Sequence, residues 1–207
     1  MSVPHSSKHW DFWLNKAKED EDYADPNIST AKTVEALVEA FPEDPRMILE
    51  IGCGFGRLTR EIKKLYPKAY VKGYDINEKV LDKAASLSGY KRSSNPTSDR
   101  VPLYYFNSGD LTSKHKEDVV YCVQVFQHLP TDEKREYLRQ IYNCLNVGGI
   151  FRFQYVEGDA DTFLSHDAKW DDMSRWLDDA GFEIASVDFN LIIPRWTWVT
   201  AVKEAKQ

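Results

Sequence analysis

Cysteine is scarce in this 207-residue chain, and Cys53, Cys122 and Cys144 have no metal-ligand spacing. An odd number of thiols, two of them in apolar or glycine-rich surroundings, reads as reduced structural cysteine, and no metal is expected. Long apolar runs are missing too. No stretch approaches the roughly 18 residues of a membrane span, and the start MSVPHSSKHWDFW lacks an apolar core of signal-peptide length. A soluble cytoplasmic protein with no membrane partner is the expectation. A basic block is also absent: 27 Lys and Arg stand against 33 Asp and Glu, a net −6 spread along the chain, which disfavours a nucleic-acid surface. What the chain does have is apolar mass, 42% of its residues, enough to fill the core of one domain.

Periodicity organises that mass. In Ser29 to Phe41, Val34, Leu37, Val38 and Phe41 recur at helical spacing before Pro42. Strands and helices then alternate. MILEI is a short strand, followed by a helix with Leu58, Ile62, Leu65 and Tyr66 on one face. AYVKGYD is the second strand, and Asn77 caps a helix with the stripe Val80, Leu81, Ala84 and Leu87. The polar stretch Lys91 to Arg100 leads into a third strand, VPLYYFNS. DVVYCVQVF, nearly all apolar, is the fourth. Thr131 is expected to cap the next helix, with Tyr137, Leu138, Ile141, Tyr142 and Leu145 inward. GGIFRFQYV is the fifth strand, and Trp170 to Ala180 is a helix with Met173, Trp176 and Leu177 inward.

FEIASVDF and RWTWVTAV follow with only NLIIP between them, too short for a crossover helix, so they form an antiparallel pair. The order implies an α/β, Rossmann-like fold: seven strands, mostly parallel, helices on both faces, and an antiparallel C-terminal hairpin. Residues 1–45 read as an N-terminal helical cap or lid, in which Trp10, Trp13 and Tyr23 either close over a ligand or pack on the sheet edge. Residues 46–207 form the main domain. Trp170, Trp176, Trp196 and Trp198 stand at core spacing.

Chemistry concentrates at the strand ends. Glu50 closes the first strand before Gly52, Gly54 and Gly56; Asp75 closes the second; Gly109 and Asp110 follow the third. Buried carboxylates near one another are costly, so a row of them points to a donor-rich ligand in the crevice at the carboxyl edge of such sheets. A glycine-bare turn lets that ligand lie against the backbone and the amides of a helix N-terminus. The dinucleotide fingerprint needs another glycine at position 57, where Arg57 stands.

E-I-G-C-G-F-G, then Y-D, then S-G-D-L resembles the class I S-adenosylmethionine-dependent methyltransferases. The resemblance implies that Gly52, Cys53, Gly54 and Gly56 offer main-chain contacts to S-adenosylmethionine and its product S-adenosylhomocysteine, with Glu50 nearby. It also implies that Asp75 accepts from both ribose hydroxyls and that Ile76 packs on the adenine. Asp110 then accepts from the adenine amino group, the Leu111 amide meets the ring, and Gln124 lies near the donor's amino-acid portion. His128, just beyond the fourth strand, is the candidate general base; its other reading is a loop histidine bonded to backbone. His166 and Tyr155 fall on the acceptor side.

The expected activity is methyl transfer to an O, N or C nucleophile of a small molecule, since the catalytic fold consumes nearly all of the chain. The D/N-P-P-Y/F signature of amino-methylating nucleic-acid enzymes is replaced by VQVFQH. A protein-directed enzyme, a donor-binding but inactive partner and a nucleotide-dependent oxidoreductase are the alternatives.

Overall fold

The computed structural model describes residues 29–90, 103–106, 111, 116–162 and 165–205. The expected aromatic lid of Trp10, Trp13 and Tyr23, the loop of residues 91–100 and Asp110 lie outside them. Helix α1 (Thr30–Val38) begins at Ser29, whose hydroxyl accepts from the Lys32 N–H. Strand β1 (Met47–Ile51), helix α2 (Arg57–Leu65), strand β2 (Tyr70–Tyr74) and helix α3 (Glu78–Ser88) follow, the last capped by the Asn77 side chain as expected. Next come β3 (Leu103–Phe106), β4 (Glu117–Cys122), a 3-10 turn (Phe126–His128) and α4 (Thr131–Cys144). The described residues end with β5 (Leu145–Val156), α5 (Trp170–Ala180), β6 (Glu183–Phe189) and β7 (Trp196–Val202).

One seven-stranded sheet has the order β3-β2-β1-β4-β5-β7-β6. The pairs from β3 to β5 are parallel; those of β7 with β5 and β6 are antiparallel. Chain direction across the sheet reverses between β1 and β4, the switch point beside which crevices form. Alternation along the strands builds two cores. In β4, Val119 and Tyr121 join the cluster under α1, α2 and α3, whereas Val120 and Cys122 join the one under α4 and α5. The helices therefore cover both faces, and Trp176, Trp196 and Trp198 are buried while Trp170 is half-buried.

Three expectations are corrected. Leu65 and Leu87, assigned to inward stripes, lie in the last turns of their helices and are 54% and 47% exposed. Thr131 is the first helical residue of α4 rather than its cap; Pro130 holds the cap position with no side-chain bond. Strand β4 stops at Cys122, since Gln124 takes φ 59°, which no strand continues, and Phe126 is buried in the 3-10 turn. Leu145 and Tyr142 do face inward as expected, Leu145 buried at the opening of β5 and Tyr142 packed half-buried against the core under α4 and α5. The last strand is interior to the sheet and β6 is its edge. WTWVTAV buries nearly every residue, while EIASVDF exposes Glu183, Ala185, Ser186 and Phe189.

Candidate functional site

The turn after β1 is built by glycine for two reasons. Gly52, Gly54 and Gly56 all have φ between 52° and 72°, the left-handed region that other residues enter at a cost. Space is short as well: a Cβ on Gly52 would lie 2.1 Å from Val125 Cγ2, and one on Gly56 would lie 2.3 Å from the Tyr105 hydroxyl. The turn is thus seated on β3 and on the segment that leaves β4.

Hydrogen bonds join it to β2. The Cys53 N–H donates to the Tyr74 carbonyl at 2.9 Å, and the Gly54 N–H donates to Asp75 Oδ2 at 3.0 Å. Asp75 Oδ1 accepts from the Asn77 N–H at 3.0 Å. Each carboxylate oxygen has therefore used one lone pair on main chain and retains another. Burial pushes the Asp75 carboxyl up to about 6, against the lowering by those two bonds. The buried Cys53 thiol is pushed well above its ordinary value, first by desolvation and then by the Asp75 and Glu50 charges, so it stays a neutral thiol, and its carbonyl accepts from the Gly56 N–H at 2.8 Å.

Glu50 sits beneath the turn rather than at its surface. It is buried and accepts from the hydroxyls of Thr59 and Tyr121. Desolvation raises its carboxyl to about 7, opposed by those hydroxyls and by the Arg57 charge. Arg57, first in α2, donates from Nη1 to Thr30 Oγ1 at 2.6 Å, tying the start of α1 to the turn. Ile76 follows Asp75 half-buried, and Leu111 is buried in the core under α4 and α5.

At the ends of β4 and β5 polar groups gather, of which sequence reasoning named Gln124 and His128 and missed Gln127 and Gln154. The Gln124 N–H donates to Gln154 Oε1 at 3.0 Å, Gln154 Nε2 donates to Gln127 Oε1 at 3.1 Å, and Gln127 Nε2 lies 3.4 Å from His128 Nε2. Gln154 is wholly buried between Phe153 and Tyr155 in β5. A lone glutamine in GGIFRFQYV was the available signal. Buried Lys134, on α4, donates to the carbonyls of Leu129 and His166, and its ammonium is lowered to about 8 by desolvation. Nothing in the spacing of α4 marks that lysine as a tether.

The loop after β5 is fastened down. The His166 N–H donates to the Gln127 carbonyl at 2.6 Å, and its ring pairs with Asp161 at 2.5 Å. Tyr155, assigned to the acceptor side, is wholly buried and donates to Glu157 Oε2 at 2.7 Å, while Glu157 Oε1 accepts from the Trp170 N–H. Among the described residues no group of three or more His, Cys, Asp or Glu is arranged to hold a metal ion, and no helix is long and apolar enough to cross a membrane.

A seven-stranded sheet with β7 antiparallel beside β5, a glycine turn after β1 and a carboxylate after β2 define a Rossmann-like nucleotide-site fold. Residues 49–151 match a family described as a methyltransferase domain. The chain belongs to the class I S-adenosylmethionine-dependent methyltransferases. It is 32% identical to the malonyl-[acyl-carrier protein] O-methyltransferase of Halalkalibacterium halodurans, over 54% of this chain and 39% of that protein. It is 30% identical to the trans-aconitate 2-methyltransferase of Streptomyces avermitilis, over 66% of this chain and 51% of that one. The chain thus spans about half or less of the length of these curated relatives. Among solved structures, the Synechocystis magnesium protoporphyrin IX methyltransferase with bound S-adenosylhomocysteine aligns with a TM-score of 0.69 at 19% identity, covering 96% of this chain and 95% of that one. A TehB-like S-adenosylmethionine-dependent methyltransferase from Corynebacterium glutamicum gives 0.65 at 18%, with 97% and 98% covered.

Proposed function

We propose that this chain transfers a methyl group from S-adenosylmethionine to an oxygen of a small, carboxylate-bearing acceptor. The observation that carries the donor half is the linkage of Gly54 to Asp75. A carboxylate held by two main-chain N–H groups, with one lone pair left on each oxygen, matches a diol that presents two donors. In this reading the bare main chain of the turn from Gly52 through Cys53 and Gly54 to Gly56 lets the donor lie along it, Ile76 packs on its adenine, the Leu111 amide meets the ring, and Asp110 accepts from the adenine amino group. Glu50 supports the turn from below, and Gln124 borders the donor's amino-acid portion.

The donor supplies a methyl group already electrophilic on its sulfonium, so the chain's task is alignment and exclusion of water. An acceptor that must lose a proton would draw on His128, the ring placed just past β4. The acceptor half rests on the names of the relatives, since malonyl and aconitate groups both carry carboxylates. A reducing, cytoplasmic setting suits three buried free thiols.

The test is transfer of labelled methyl from S-adenosylmethionine to trans-aconitate and related di- and tricarboxylates. Label recovered in a base-labile ester supports the reading. Label in a base-stable product excludes a carboxylate oxygen and leaves a hydroxyl, nitrogen or carbon acceptor, and a chain that binds donor yet labels no acceptor class is the inactive partner.

A further inference from the structure

The amides beyond β4 have a polarity that the main chain dictates. The Gln124 N–H can only donate, so the Gln154 atom 3.0 Å from it is the carbonyl oxygen. The other end of that amide is then a donor, and the Gln127 atom 3.1 Å from it is an acceptor oxygen. With that oxygen committed, the Gln127 NH2 group faces His128 Nε2 at 3.4 Å. Two donors cannot share one bond. The imidazole Nε2 therefore accepts, and the neutral ring carries its proton on Nδ1.

We propose that Gln154 is a positioning residue which, through Gln127, fixes the His128 ring with Nε2 as a hydrogen-bond acceptor. Burial enforces the direction at Gln154, because an amide in the core cannot turn to water for a missing partner. The relay also begins at a restrained place. Gln124 has φ 59°, uncommon for a non-glycine residue, and the adjacent Val125 fills the space that a Cβ on Gly52 would need. The chain of amides thus runs from the seat of the glycine turn to His128.

One consequence rests on the proposed methyl transfer. With the proton on Nδ1, an acceptor proton is taken by Nε2, the one ring nitrogen with a lone pair, and the Gln127 NH2 group gives way to the acceptor as it does so. The relay then holds the basic nitrogen of His128 in a fixed place. The tautomer itself does not depend on that reading.

The test is long-range 1H–15N correlation of the labelled chain at pH 8, with the His128 ring assigned through His128→Asn. The wild type shows Nδ1–H with an unprotonated Nε2. In Gln127→Glu, one carboxylate oxygen accepts from Gln154 and the other faces the ring, so the proton moves to Nε2. Gln154→Glu has the same result, because Gln127 must turn its NH2 toward the new carboxylate. Gln127 is only half-buried, so its variant keeps the test sharp if a carboxylate at position 154 prevents folding. A merely structural glutamine would leave the tautomer unchanged in both variants. That result, or a wild-type ring carrying its proton on Nε2, overturns the proposal. Failure of the chain to bind S-adenosylhomocysteine overturns the proposed function instead, and leaves a wild-type Nδ1–H ring standing.

Discussion

The Gly54 N–H donates to Asp75 Oδ2 at 3.0 Å across 21 residues of sequence, so the bare turn after β1 and the carboxylate after β2 are one unit. Neither half is placed without the other. The glycine conformation aims the N–H, and the bond sets the carboxylate plane that a ribose would meet.

Asp75→Ala is expected to raise the dissociation constant for S-adenosylhomocysteine by roughly tenfold or more, since a charge-assisted bond is worth about 1.5 to 3 kcal/mol. Isothermal titration calorimetry reads this directly. Unchanged affinity would remove Asp75 from the ribose.

Donor affinity should also follow pH through the same group. Burial, the larger influence, raises the Asp75 carboxyl to about 6, and a protonated carboxyl gives up an acceptor that the diol requires. Binding is therefore strongest above pH 6 and weakens below it, by at most roughly tenfold per pH unit for one proton. Titrations between pH 5 and 7 check this, with Asp75→Asn expected to be weak and flat. A flat wild-type profile contradicts it.

Glu50 makes stability fall as pH rises. Its folded carboxyl, raised to about 7 chiefly by desolvation, holds a proton that the unfolded chain releases near its ordinary value of 4.5. The contribution is present below that value and is lost as pH climbs through 7. Glu50→Gln, which cannot titrate, should lose less stability than wild type between pH 5 and 8 in urea melts. Parallel losses would count against a strained buried carboxyl.

Gly73 is a packing glycine inside β2. A Cβ there would meet Tyr105 Cδ1 at 2.6 Å and Cys53 Sγ at 2.9 Å. Gly73→Ala is expected to destabilise by about 1–3 kcal/mol, the usual cost of overpacking. The loss should shrink when Tyr105 is also made Leu. A wild-type urea midpoint for Gly73→Ala alone would show that β2 and β3 can spread.

The strand count, the two-faced covering and the C-terminal antiparallel pair were legible in the sequence because each rests on periodicity or on a connection length. The glycine turn was legible because its residues are local. Gln127, Gln154 and Lys134 were not, since each acts through a partner 27 or more residues away, or through a carbonyl that no side-chain pattern advertises. The β4 boundary failed for a related reason. VQVF continues an apolar run, but the Gln124 N–H is taken by a side chain from β5, and the strand ends. Glu50 was singled out as a strand-end carboxylate, yet only the fold shows that Thr59 and Tyr121 hold it from within the core.

The most direct test of the central claim is calorimetric titration of the chain with S-adenosylmethionine, S-adenosylhomocysteine and NAD in parallel. Binding of both adenosyl ligands with one site per chain, and none of NAD, is the predicted result. Tight NAD binding with neither adenosyl ligand bound would contradict it.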